Sequence, residues 1–537
     1  MASCTSQTPD QAVSPSRQRD HATVLTVLTL NTWGLWLVSK VRKQRMQQLG
    51  RWLEQAAEDV VLLQEVWVDS DAEQLMSRAR GSGLAHSIHF KSGMFGSGLV
   101  TLSRHPILAW GFQRYAASGD PAALLCGDFY AAKGVGWVLL STPGGPMAVF
   151  NTHLHANYSH KVRPHPGLPE PTLTTQGQKP QTQMQAAAAA AVGTAVSGAA
   201  GTAAGAAAAA GAAAAGPARA AAAGAPSAEP TWATLQRLGV SVPHDSFAAF
   251  RLSQVLQLAQ LVRQVHAAAG CPALVLSGDL NTKPHHLEMA LLKCLLPELT
   301  DSWLAVHGQE SAAGFTCDAP GCTFKSTRQV PERIDYIFVS GMEPMAVCVT
   351  LHATSLGISY SDHLAVQARL RFPMPSLPNP DVPALAAADA VSAAHSTLAT
   401  DRADKAKCAT DVAQFERAVL HATRELLARG CDLAAKYAKH RCGLAVLMAI
   451  LAAGCAASSA SALWSRLMPF SQICSEAEAP YYTLAFAANL VELISAPILA
   501  GCAVIMLVMG AVGDTTQRRV LAMDIRAMDD VLANGRR

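Results

Sequence analysis

Short apolar runs alternate with amphipathic stretches through residues 23–372. The runs at 24–30, 60–63, 99–102 and 147–150, and again at 273–276, 334–339 and 364–370, are rich in Val, Leu and Ile and bounded by polar residues. Runs of that length predict buried strands. Residues 41–57 carry a helical period between the first two runs, and residues 247–266 carry another. Strands interleaved with helices predict an α/β domain.

The pattern breaks in several places. Residues 1–22 are polar and lack the apolar core of a secretory signal, so they read as a disordered start, with a transit peptide as the alternative. Residues 159–243 hold a Pro/Gln segment and then Ala runs interrupted by Gly. Alanine favours helix but has little surface to bury, so this stretch reads as a low-complexity expansion of a surface loop rather than a functional insert. Residues 373–410, rich in Pro, Ala and Ser, read as a linker.

Beyond it the period returns. Val412, Phe415, Val419, Ala422 and Leu426 mark one face of an amphipathic helix over 411–441, for which a membrane surface and a packed partner are equal readings. Residues 443–464 and 493–513 then hold no Asp, Glu, Lys or Arg and are each long enough to cross a bilayer as a helix; buried soluble helices are the alternative. Lys436, Lys439 and Arg441 precede the first, and Arg518, Arg519 and Arg526 lie in the tail, 514–537. The loop between the spans has Arg466 against Glu476, Glu478 and Glu492. The positive-inside bias puts both ends in the cytosol. The expectation is an integral protein of the endoplasmic reticulum, another intracellular membrane or the plasma membrane, its globular part cytosolic.

Composition narrows the classes. The chain has 537 residues, 50% hydrophobic and 15% charged, which excludes wholesale disorder and a coiled coil. A formal charge of +3 argues against a protein held to nucleic acid by bulk charge. The 13 cysteines form no C-x-x-C pair, so neither a zinc site nor a secreted disulfide framework is indicated.

Six polar motifs sit at the ends of the apolar runs: Asn31-Thr32-Trp33-Gly34, Gln64-Glu65-Val66-Trp67, Asn151-Thr152-His153-Leu154-His155, Gly278-Asp279-Leu280-Asn281, Arg333-Ile334-Asp335-Tyr336 and Ser361-Asp362-His363. Each alone reads as a turn residue or a structural histidine. Together, carboxamides, carboxylates and histidines at strand ends suit metal-assisted attack on a phosphate ester. Oxygen ligands without cysteine suit Mg²⁺, with Mn²⁺ as a substitute. Asp279 and Asn281, two apart on an extended segment, are expected to project to one face.

In order along the chain, these motifs resemble the endonuclease/exonuclease/phosphatase superfamily. More narrowly they resemble the membrane-bound neutral sphingomyelinases and the inositol phosphosphingolipid phospholipases C. Gly93-Met94-Phe95-Gly96-Ser97-Gly98-Leu99, the 127–134 segment and Arg251-Leu252-Ser253-Gln254 add to the resemblance, which covers 24–158 and 244–372. Two departures stand out: the Ala-rich insertion splits the block, and Thr32 stands where many relatives have Cys.

The resemblance implies a two-layer β-sandwich flanked by helices. It also implies a Mg²⁺-dependent phosphodiesterase that splits a membrane sphingophospholipid, such as sphingomyelin, into ceramide and its phosphorylated head group, with no nucleic acid partner. Glu65 would ligate the metal with Asn31 beside it, and Asp362 would assist. His363 would take a proton from the attacking water, the reference histidine pKa of about 6.5 suiting a base near neutral pH. Asp335 would orient it. Asp279 and Asn281 would position the water and the phosphate, and His153 would stabilise developing charge. Asp128 and Lys133 fall on a loop that matches one near the site in the neutral sphingomyelinases; a gating ion pair and an inconsequential exposed pair are the two readings. The rivals are a phosphoinositide phosphatase or nuclease on the same fold, and an inactive membrane-anchored binding protein.

Overall fold

Alternation along the strands builds three cores. In β1 (Val24–Asn31), Leu25 and Val27 face one side while Leu28 and Leu30 face the other, and all four are buried. The same parity runs through β2 (Val60–Gln64), β7 (Gly145–His153), β8 (Ala273–Asp279) and β10 (Asp335–Ser340). These belong to two six-stranded sheets. The first has the order β11-β12-β1-β2-β4-β3, with β3 (His86–Phe90), β4 (Leu99–Ser103), β11 (Glu343–Thr350) and β12 (Ala365–Arg371). The second has the order β5-β6-β7-β8-β10-β9, with β5 (Ile107–Arg114), β6 (Gly134–Thr142) and β9 (Thr300–Asp301).

The architecture is a two-layer β-sandwich flanked by helices. Its computed structural model describes residues 23–36, 38–93, 96–123, 126–158, 231–243, 245, 247–308, 314–326, 330–372, 398–467 and 479–534. The start at 1–22, the insertion over 159–230 and residues 373–397 lie outside these. Val27, Val60 and Leu62 of the first sheet meet Val149, Val275 and Ile337 of the second in the inter-sheet core. On the outer face of the first sheet, Leu28, Leu30 and Leu63 pack against α1 (Arg42–Leu53) and α2 (Asp69–Ala79). On the outer face of the second, Phe150, Leu274 and Phe338 pack against α4 (Ala248–Ala269) and α5 (Leu287–Leu295), which follow α3 (Thr231–Arg237). A short α6 (Ser302–His307) is capped by the Asp301 side chain.

Three boundaries read from the sequence are corrected. The insertion does not run to 243: α3 lies inside it, with Leu235 and Val240 buried in the outer core and the Arg429 guanidinium over the Trp232 ring. Trp, Leu and Val give this stretch the apolar surface that the Ala runs lack. The linker does not run to 410, because helix α7 spans Leu398–Leu467, and 398–410 is rich in Ala, Lys and Asp with nothing to break the helix. That one helix also takes in both the amphipathic stretch and the first apolar segment.

Of the two readings of 411–441, the packed one describes the geometry. Val419, Leu426 and Leu427 are buried in the same core as Phe250 and Leu258 of α4. The C-terminal segment is no free tail. After α8 (Ala479–Val508) and a π-helical turn at Met509–Asp514, α9 (Thr515–Asn534) returns to the domain, burying Leu521 and Met528. Arg441 fastens the junction, donating to Asp514 at 2.6 Å and to Asp120 at 2.6 Å. Beyond it, α7 and α8 carry exposed Val446, Ile450, Ile498 and Val504, and both are long and apolar enough to cross a membrane.

Candidate active site

The parity that packs the inter-sheet core also delivers the polar cluster at its end. Continuing the inner-facing positions of β1, β7 and β8 leads to Asn31, His153 and Asp279. Asp335 opens β10, which runs antiparallel to β8 and pairs it with Asp279, while parallel β7 pairs His153 with Asp279. β2 ends at Gln64, and Glu65 turns out of the strand at φ 58. That is a costly region for a non-glycine residue, and here it aims a carboxylate into the cleft. Gly278 has no alternative, since a Cβ there would lie 1.9 Å from Thr152 O.

Below the cleft the two sheets are tied by buried amides. Gln64 donates to Thr29 Oγ1 at 3.0 Å and to Asn151 Oδ1 at 2.8 Å, and Asn151 donates to Leu63 O and Val100 O. Fully satisfied, this network adds rigidity beneath the site.

Asn31 is the hub. Its Nδ2 donates to Glu65 Oε1 at 3.0 Å and to Asp279 Oδ2 at 2.9 Å, while its Oδ1 accepts from the Trp33 N–H. His153 Nε2 lies 3.5 Å from Asp279 Oδ2 and 4.0 Å from Glu65 Oε1. His363 Nδ1 is bonded to Asp335 Oδ2 at 2.8 Å. Asp362 accepts from Ser361 Oγ at 3.1 Å, within electrostatic range of Glu65. The expected extended 279–281 segment is not found. The strand ends at Asp279 and Asn281 adopts φ 49, its N–H donating to Asp279 Oδ1 and its amide to Leu154 O. Short polar residues tolerate that turn.

Asp128 and Lys133 are not an exposed pair. They form a buried ion pair at 2.6 Å, and Lys133 Nζ also reaches His153 Nε2 at 3.0 Å and Leu154 O at 2.9 Å. Lysine has no acceptor, so this contact makes Nε2 the acceptor and leaves the His153 proton on Nδ1. Asp128 in turn accepts from Tyr158 Oη and the Ala156 N–H.

Arg45 was not singled out from the sequence. Buried under the cleft, it donates to Thr32 O, Trp33 O, Lys40 O and Tyr360 O, joining the loop after β1 to the one before His363. Its signal was a basic residue on the apolar stripe of α1, four before Leu49 and eight before Leu53. Cys317, beside the His363 ring, was missed because only the tertiary fold brings it there.

Burial and mutual repulsion dominate the electrostatics. Burial and the neighbouring Asp335 push the Asp279 carboxyl up to about 7. Burial pushes Asp362 up to about 6. Burial alone would lower His363, but Asp335 and the Cys317 side chain hold it well above 6.5. His153 is held well below its usual value by burial and Lys133.

Such a cluster fits a hard divalent cation. Asp279, Asp335 and His363 each offer a ligand atom within 4.8 Å of one another, and Glu65 adds an oxygen on the Asn31 side. Among the described residues, Asp335 Oδ1 is buried without a hydrogen-bond partner. A cation there would satisfy that oxygen, relieve the carboxylate repulsion and oppose the charge on His363.

The profile of the endonuclease/exonuclease/phosphatase family matches residues 28–363, more than half the chain. The chain belongs to this family. Within it, the chain is similar to sphingomyelin phosphodiesterase 2 of Homo sapiens, with 38% identity over 22% of this chain and 27% of that protein. It is 39% identical to inositol phosphosphingolipids phospholipase C of Schizosaccharomyces pombe, over 21% of this chain and 27% of that one. The similarity to sphingomyelin phosphodiesterase 2 of Mus musculus is longer and weaker, 24% over 60% of each. These alignments span less than two thirds of the relatives' own length. The family match begins in β1 and ends at His363, so it encloses the whole cluster of this family member.

Proposed function

We propose that this family member is a Mg²⁺-dependent phosphodiesterase of the phospholipase C type. It hydrolyses a membrane sphingophospholipid, sphingomyelin to ceramide and phosphocholine being the first choice, from the cytosolic side of the membrane its two apolar helices cross. One observation carries this: Asn31 joins Glu65 to Asp279 beside the His363–Asp335 pair, at one end of the sandwich. The names of the relatives and the two apolar helices support a lipid substrate over a soluble one.

When bound, the cation would polarise a phosphoryl oxygen and offset charge on the departing alkoxide. Glu65, Asp279 and Oδ1 of Asp335 would hold it, with Asn31 bracing the first two carboxylates. Asp335 fixes the orientation and tautomer of His363, which takes the proton of the attacking water once its imidazole is neutral. Lys133, held against His153, places a fixed positive charge where the phosphate gathers negative charge. The Asn281 backbone bond to Asp279 keeps that carboxylate aimed at the centre.

The test is a substrate panel on purified full-length protein. It contains labelled sphingomyelin, inositol phosphosphingolipid, a phosphoinositide and DNA, each with Mg²⁺ and with chelator. The expected result is Mg²⁺-dependent release of ceramide from a sphingolipid. Activity confined to DNA or to the phosphoinositide would overturn the reading.

A further inference from the structure

The loop between β1 and α1 is built against ordinary practice. It leaves Asn31 in the cleft, then presents Leu35, Trp36, Val38 and Val41 to solvent, with Trp36 70% and Val38 68% exposed. A soluble surface rarely groups large apolar side chains this way without a partner. Nor is the loop loosely held. Arg45 spends its guanidinium on the carbonyls of Thr32, Trp33 and Lys40, and its ring contact with Trp33 is 4.9 Å. Gly34 donates to Glu65 O at 2.9 Å, where a Cβ would come within 2.2 Å of that oxygen. The apolar tip therefore stands on a rigid base that touches the backbone of Glu65.

Charge favours one occupant. Lys40 and Lys43 are exposed within the loop and at the first turn of α1 beside it, a cationic fringe that suits an anionic lipid surface. The far side of the site points the same way. Lys133 and Asp128 end the segment whose Asp120 is bound by Arg441, at the root of the apolar helices. Contacts run from the base of the tip through Glu65, Asn31, Asp279 and His153 to Lys133, and Arg441 at the root of the helices binds Asp120 on the segment that leads to Lys133.

We propose that the loop carrying Leu35, Trp36, Val38 and Val41 is a bilayer-docking element. With the apolar helices it holds the cleft mouth against the membrane from two sides. Aromatic and aliphatic side chains above a basic fringe match the chemistry of the lipid interface. The mode of substrate access rests on the phosphodiesterase reading; the docking itself does not.

The direct test uses full-length protein in vesicles of phosphatidylcholine and phosphatidylserine with brominated acyl chains. The emission of Trp36 is obtained as the difference between wild type and Trp36→Phe. Docking predicts that this component is quenched relative to unbrominated vesicles; an unquenched component overturns the proposal. A component that is unquenched but shifts with the number of copies per vesicle would assign the loop to a second copy, and also overturns it.

A second arm compares hydrolysis of vesicle-borne sphingomyelin with that of a water-soluble short-chain analogue. Trp36→Ala with Val38→Ser is expected to lower the ratio about tenfold, with the melting temperature in detergent unchanged. An unchanged ratio overturns the proposal. If neither substrate is hydrolysed by wild type, the phosphodiesterase reading fails while the quenching result still decides docking.

Discussion

Lys133 shows how much one side chain can carry. It pairs with Asp128, supports His153 and satisfies Leu154 O, all in a buried setting. Removing one partner of a buried pair leaves the other uncompensated, so Lys133→Met should cost about 3 kcal/mol in a denaturation experiment. Exchanging the two charges should not restore stability, because Tyr158, Ala156 and Leu154 are arranged for the native order. Burial alone would raise the Asp128 carboxyl, but His155 and Lys133 hold it far below the usual range. A depressed folded pKa gives stability that is present above the unfolded value, about 3.9, and lost as pH falls below it. Melting temperature should therefore drop less steeply on acidification in Asp128→Asn, already destabilised, than in the native chain. At this scale the residues that the fold gathers at the cleft were legible, because Asn31, Glu65, Asp279, Asp335 and His363 stand in motifs at strand ends. The roles of Lys133, Arg45 and Gln64 were not, since each depends on partners from distant strands.

Among the elements, strand parity explains why six separated segments converge. Inner-facing apolar positions of β1, β7 and β8 lead to Asn31, His153 and Asp279, so the register that pairs Asn31 with Gln64 and His153 with Asp279 packs the core and assembles the cleft together. The strands were readable for that reason. The helices around the second sheet were read less well, because their partners lie far off in sequence. α3 is about two turns, with one Trp and one Leu, after a long Ala-rich stretch, and its contacts with α7 and the outer core give it a place. Leu235→Ala should lower stability by about 2–5 kcal/mol, a cavity cost measurable by chemical denaturation of the full chain. An effect close to zero would mean that α3 does not pack there.

For the whole molecule, the membrane-competent helices and the sandwich are one structure joined at Arg441, with α7 and α9 packed on the same outer core as α4. Arg441→Ala should therefore loosen the domain as well as the helices, giving faster proteolysis between residues 115 and 133 in reconstituted protein. The apolar helices were legible by length and charge alone, whereas their docking on the domain was not, because an amphipathic face does not name its partner.

The central claim is that Asn31, Glu65, Asp279, Asp335 and His363 work as one metal-assisted centre. Sphingomyelin hydrolysis by full-length Glu65→Gln and His363→Ala proteins, assayed with Mg²⁺ and again with chelator, tests it most directly. The account predicts a loss of about a thousandfold or more in each variant, with chelation abolishing native activity and adding little to the loss in Glu65→Gln. Native-level hydrolysis by either variant, or chelator-resistant hydrolysis by the native protein, would contradict it.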